Sequence, residues 1–293
     1  MVSLNQSRRP YTSITFDVDM VDYLNESSHF DEIKNFFEPI KEVLEEFPRV
    51  RTTWFIRIDR QIEVQYGKPD FVFQEYPEVI KWLTDNGHEI GWHHHAYKQE
   101  EGLWTQETNP NKVKDQLIHY GNLASKLGIT SARMGWSWHT NETMNTLDYL
   151  GFKVDSSAVP RPKYPWEKAG HDWSKSSSQP YKPSCHNYQI RGHPSLEILE
   201  IPISVTKISA PSDDRPMQRY MNIAYKPHIF SEAFQHYQDK DCLVTITHPY
   251  ELMQNKVSHD LLAFDMEALS SNLRTLEAKK VEFVTIKELS THY

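Results

Sequence analysis

The sequence predicts an α/β chain of 293 residues folded as a single (β/α) barrel, and three observations carry that expectation. Strand-like and helix-like stretches alternate, which implies a parallel sheet, because each parallel pair needs a crossover connection. Roughly seven or eight strand candidates can be counted, a number that suits a closed or nearly closed barrel better than an open sheet. No internal repeat and no linker interrupts the pattern, so residues 1–293 read as one domain with its core over about residues 10–290.

The elements follow in order. Ser13–Val18 (SITFDV) is an apolar, β-branched run and reads as a buried strand. In Phe30–Phe47, residues Ile33, Phe36, Phe37, Ile40, Leu44 and Phe47 fall on one helical face. Val50–Ile58 is β-branched and aromatic, hence a strand. Glu75–Gly87 reads as a helix stopped by its glycine, and His88–His93 as a short strand. A second glycine-stopped helix covers Asn109–Gly128. Ser131–Trp136 and Phe152–Ser157 read as strand ends, with the helix Asn141–Gly151 between them and Asn141 as its N-cap. From Pro160 to about residue 195 the rhythm breaks into Pro, Ser and aromatics, a long loop insertion with Trp166 and Trp173, and loops that long are usually functional or disordered. Leu196–Val205 resumes the strands. An irregular stretch to about Pro227, a helix, the strand Cys242–His248, a helix over Met266–Leu276 and a last strand at Val281–Ile286 complete the chain.

Composition excludes some functions. A net charge of −8 argues against a nucleic-acid binder, whose affinity rests on basic surface. Cys185 and Cys242 are too few for a disulfide framework and match no zinc spacing. The N-terminus has no apolar signal-like core and no apolar run reaches membrane-spanning length, so a soluble, cytoplasmic protein without a transmembrane segment is expected.

In a (β/α) barrel, chemistry gathers at the C-terminal ends of strands. Here five such ends carry Asp17 and Asp19, then His93, His94 and His95, then Arg133, then Asp155, then His248. Residues two apart in extended chain share a side. His93 and His95 can therefore face one metal while His94 points away, although His94 stays open as the second histidine. Imidazoles suit Zn, Fe, Co or Ni, and one carboxylate completes an open three-ligand site. Asp17 and Asp19 on one face repel unless a cation or shared proton intervenes. One can bind the metal while the other stays free as a base. Arg133 can pair with a carboxylate and orient it, and His248 before Pro249 suits a proton donor near neutral pH. Trp136, Trp138 and Tyr250 lie beside these groups, to stack on sugar rings or to pack the rim.

The order TFDVD, GHEIGWHHH, RMGW, LGFKVDSS and THPYE resembles the polysaccharide deacetylase superfamily, also called NodB-homology or carbohydrate esterase family 4, from about Thr12 to Leu289. The match is to a divergent bacterial branch with Asp-x-Asp and His-x-His motifs. Most members read Asp-Asp-Gly at the first motif and place their metal histidines four apart, whereas Tyr97 stands four after His93. The resemblance implies a distorted, TIM-like (β/α) barrel of about seven strands and one divalent metal, zinc first, with Co, Ni, Fe or Mn as alternatives. It places Asp17 as catalytic base, Asp19, His93 and His95 as metal ligands, Arg133 as the arginine orienting the base and His248 as acid. Trp136, Trp138 and Tyr250 become candidate substrate contacts. The expected activity is hydrolysis of an N-acyl group, N-acetyl first, from an acylated amino sugar such as a precursor of a surface polysaccharide, and the insertion from Pro160, with Trp166 and Trp173, becomes the candidate substrate-selecting lid.

Two rivals compete. Asp-x-Asp-x-Val at Asp17–Val21 also fits the signature of haloacid-dehalogenase-like phosphatases. That chemistry has no use for a histidine pair and wants further acidic residues at strand ends, for which Asp213 and Asp214 are the nearest candidates. A catalytically inactive, glycan-binding relative would keep the aromatics without needing the whole Asp, His and Arg set.

Overall fold

Each apolar run becomes a strand where its neighbours can bury both faces. The computed structural model describes residues 10–19, 33–163, 170–210, 213–253 and 264–293. The parallel strands are β1 (Tyr11–Val18), β2 (Thr52–Arg57), β3 (Glu89–His94), β4 (Ser131–Met134), β5 (Val154–Asp155), β6 (Leu199–Glu200), β7 (Cys242–Thr247) and β8 (Glu282–Phe283). Across the sheet they run β6-β5-β4-β3-β2-β1-β7, and β8 joins the first residues of β1. The sheet curls into a distorted (β/α) barrel. Its seam is bridged at Ser204, whose N–H donates to the Val244 carbonyl and whose hydroxyl accepts the Val244 N–H, both at 2.9 Å.

Strand alternation sorts side chains between barrel interior and helix layer. On the outer side, Phe16 packs 4.6 Å from Trp54, which meets Phe37 of the helix Ile33–Glu45 at 5.8 Å. That helix buries Ile33, Phe36, Phe37, Ile40 and Leu44. Full burial of such side chains contributes about 1.5–3 kcal/mol each.

The structure departs from the sequence expectations at several places. Two short helices, Arg60–Tyr66 and Phe71–Glu75, and a hairpin pairing Tyr97–Glu100 with Leu103–Gln106 were not anticipated. The helix at Asn141 is capped by Thr140, whose side chain accepts the Thr143 N–H, not by Asn141. Asn141 instead ties down the insertion, donating to the His186 carbonyl at 2.7 Å and accepting the Tyr188 N–H at 3.0 Å. The Leu196–Val205 strand shrinks to β6, and a hairpin of Val205–Ile208 with Met217–Tyr220 follows. Within the insertion, Pro183–Ser184 pairs with Asn187–Arg191. Trp166 lies outside the described residues.

Candidate functional site

Register decides which side chains meet. Arg57 lies opposite His93, and His93 opposite Arg133, so three neighbouring strands aim one row into the barrel. One level down, Asp17 lies opposite Phe55, and Phe55 opposite Gly91. A Cβ at Gly91 would lie 2.5 Å from the Phe55 ring, so glycine makes room for that ring beneath the row.

Asp17 is buried and held by Arg133, whose Nη1 donates to its Oδ1 at 2.7 Å and to the Thr15 hydroxyl at 2.6 Å. The other guanidinium donors reach the Ser156 carbonyl at 2.6 Å and its hydroxyl at 2.9 Å. The cation sits 4.2 Å over the Phe55 ring. With every edge of the fork engaged, the Asp17 carboxylate has a fixed orientation.

Asp19, His93 and His95 converge beside it, all buried. The two Nε2 atoms are 3.1 Å apart, and the Asp19 oxygens lie 3.5 Å from His93 Nε2 and 3.4 Å from His95 Nε2. Three electron-rich groups this close repel unless a cation or a shared proton lies among them. Tetrahedral coordination at bond lengths of about 2.0–2.1 Å places ligand atoms about 3.3 Å apart, so the donor set fits one divalent ion. Protonation fits as well. His93 Nδ1 is 3.0 Å from the Arg133 carbonyl, which can only accept, so the ring proton sits there and the Nε2 lone pair faces Asp19. Burial, with the Arg57 guanidinium nearby, pushes His95 down to about 4, a neutral imidazole near neutrality. Arg57 itself donates to Asp19 at 3.0 Å, to Asp59 at 2.5 Å and to Gln61 at 2.8 Å. Asp59 in turn caps the helix Arg60–Tyr66 through the Gln61 and Ile62 N–H groups.

His248, just past β7, completes the ring, with Nε2 3.9 Å from Asp19. Its Nδ1 lies 3.2 Å from Glu251, which also accepts the His248 N–H. Burial pulls the imidazole down, but Glu251, Asp19 and Asp17 outweigh it and push His248 up to about 9.

These groups floor a cavity of about 800 Å³ walled by Tyr97, Trp104, Trp136, Tyr220 and Tyr250. Trp136 stands 43% exposed at its mouth, and Tyr250 lies with its ring 5.6 Å from that of His248. Trp138, expected as a substrate contact, is a correction: it is buried against Gly170 and does not line the cavity. Asp155 also faces elsewhere. It sits opposite Ala132, the parity of Trp92 and the helix layer, and pairs with His139 at 3.2 Å. His94 turns away from the cavity toward Trp92 and Tyr120. Asp213 forms a two-pronged pair with Arg219, at 2.7 and 2.8 Å, outside the cavity lining. The extra carboxylates that a phosphatase needs are therefore not supplied there. Sequence reasoning missed Arg57, Asp59, Glu251 and the hairpin that brings Tyr97 and Trp104. An arginine closing an otherwise apolar strand was the available signal for Arg57.

No family model matches the sequence, and no curated protein matches it. Solved structures do match in fold. A Mycobacterium smegmatis protein assigned as a polysaccharide deacetylase superposes with a TM-score of 0.58 at 14% identity, covering 99% of this chain and 92% of that one. A 4-alpha-glucanotransferase from Thermococcus litoralis superposes at 0.56 with 12% identity, over 97% of this chain and 40% of that one. These likenesses establish the fold. They do not choose between acyl and glycosyl chemistry, which rests on the side chains.

Proposed function

We propose that the protein is a metal-dependent carbohydrate deacetylase, a hydrolase that removes an N-acyl group, N-acetyl first, from an amino sugar. The observation that carries this reading is the Asp19, His93 and His95 cluster sharing one cavity with an Arg133-clamped Asp17 and with His248. The first matched structure, through its assignment, and the motif order point the same way.

A divalent ion held by Asp19, His93 and His95 would supply Lewis-acid polarisation of the acyl carbonyl. The chain's own residues do the rest. Asp17 accepts the proton of the attacking water, its carboxylate aimed by Arg133. His248, kept protonated by Glu251, gives a proton to the departing amine. Arg57 and Asp59 hold the Asp19 side of the cluster in place. The aromatic wall suits a sugar ring, whose C–H face packs on indole and phenol faces.

Metal content and acetate release from N-acetylated sugars, measured on the same preparation, test the reading. Asp17→Asn should keep the metal and lose turnover by about a hundredfold or more. Asp19→Ala should lose the metal. Full metal occupancy in Asp19→Ala would overturn the assignment of roles, and Mg-dependent phosphate release in place of acetate would overturn the activity.

A further inference from the structure

The turn after β4 adopts backbone that bulky residues avoid. Trp136 and Ser137 have φ of 59° and 53°, both in the left-handed region. Side chains with a Cβ are strained there, and such strain persists only where the surroundings enforce it. Here they do so with three hydrogen bonds, two of them from the insertion. His171 Nδ1 donates to the Trp136 carbonyl at 2.7 Å, and Trp173 Nε1 donates to the Ser137 carbonyl at 2.7 Å. The Trp136 indole itself donates to the Tyr97 hydroxyl at 2.7 Å. The insertion is anchored in turn, because the Gly170 carbonyl accepts the His139 N–H at 2.9 Å. Glycine is required at 170, where φ is +91° and a Cβ would lie 2.1 Å from Trp138 Nε1.

The strain has one visible product. It turns Trp138 into the core and leaves the Trp136 indole standing at the cavity mouth, 6.3 Å from the His95 ring, centroid to centroid. Below it, a Cβ at Gly135 would lie 2.3 Å from His95, so the turn rests directly on a histidine of the cluster. A large indole held beside the centre by its own ring N–H, with its carbonyl capped from outside, fits the apolar face of a pyranose ring.

We propose that the turn Gly135–Ser137 is a built stacking platform for a pyranose, and that residues 170–173 of the insertion are its fixed brace, with His171 as a positioning residue. The inference rests on the carbohydrate reading above and deepens it: the stacked ring is the acylated sugar or its direct neighbour. It also changes the role expected of the insertion, at least over 170–173, from a selecting lid to a support.

The test pairs binding with kinetics. Tryptophan fluorescence is titrated with chitotriose, the N-acetylglucosamine trimer, and KM and kcat are read from acetate release. Trp136→Ala and His171→Ala should raise Kd and KM about tenfold, far more than kcat falls, with metal content unchanged. Trp136→Phe should retain most of the affinity. His171→Asn, whose Nδ2 sits where the histidine Nδ1 does, should restore it. Unchanged Kd and KM in His171→Ala overturn the brace, and unchanged values in Trp136→Ala overturn the platform. Chitotriose binding by the wild type that Trp136→Ala abolishes, without acetate release, keeps the platform and removes the deacetylase reading. Acetate release unaffected by Trp136→Ala does the reverse. A wild type that binds no chitotriose overturns the platform.

Discussion

Arg133 joins the two halves of the candidate site through one residue. Its side chain fixes Asp17, and its carbonyl fixes the proton on His93. The second task depends only on the backbone, so the two can be separated by substitution. Arg133→Lys keeps the charge but replaces a planar fork with a single flexible ammonium that cannot span Asp17, Thr15 and Ser156 together. Buried acceptors would be left unmet, at a cost of about 1–3 kcal/mol each. The expected outcome is an unfolding free energy, from urea titration, lowered by at least about 2 kcal/mol, a kcat reduced more strongly than KM rises, and metal still bound. Loss of metal in this variant would show that the contact of the His93 ring with the carbonyl of residue 133 does not survive on backbone alone.

The elements explain what could and could not be read in advance. Asp17, Asp19, His93 and His95 were legible because they lie where extended chain ends, and alternation by two assigns their sides. The same rule fails for Trp136 and Trp138. They are also two apart, but Trp136 itself and Ser137 are left-handed and reverse the face, so one lines the cavity and the other the core. Asp155 fails for another reason. Its inward or outward parity is set by pairing with β4, and register is not written in a two-residue strand. Arg57, Asp59 and Glu251 act through neighbours on other elements, which a linear reading does not pair. Gly135 shows how tightly the elements interlock. Its missing side chain leaves room for the whole His95 ring, since a Cβ would come within 2.3–2.4 Å of three ring atoms. Gly135→Ala should therefore displace His95 and weaken metal binding by about 10–100-fold, as loss of a ligand's support does. The far-UV circular dichroism should stay that of the wild type. Unweakened metal binding, by calorimetric titration, would contradict this placement of the turn.

At the scale of the whole molecule, β5 and β6, two residues each, stand at the end of the sheet next to the seam, and a buried pair of carboxyls joins them. Glu200 of β6 lies opposite Asp155 of β5, and both are fully buried. Burial, and then the Asp155 charge, raise the Glu200 carboxyl well above its ordinary range, so it keeps its proton and donates to Asp155. Glu200 Oε1 meanwhile accepts the Ala158 N–H at 3.0 Å. Burial also opposes the Asp155 charge, but His139 and hydrogen bonds from Glu200 and Ser157 outweigh it and hold Asp155 low. A carboxyl raised by folding favours the fold most below its unfolded pKa, about 4.3 for Glu. As pH rises past that value, the unfolded chain releases the proton while the fold retains it. Stability then falls by about 1.4 kcal/mol per pH unit until the folded carboxyl ionises too. Asp155 works in the opposite direction, losing its contribution only as pH falls below about 3.9. Glu200→Gln supplies the same donor to Asp155 and the same acceptor to Ala158, with no proton to release. Its urea midpoint should exceed that of the wild type at pH 8 and converge on it, or fall below it, at pH 5. Asp155→Asn removes the charge that His139 and Ser157 satisfy and should destabilise at both values. An equal loss in Glu200→Gln at pH 5 and pH 8 would mean that the β5–β6 pair is held by packing alone, and that no proton is held between the two strands.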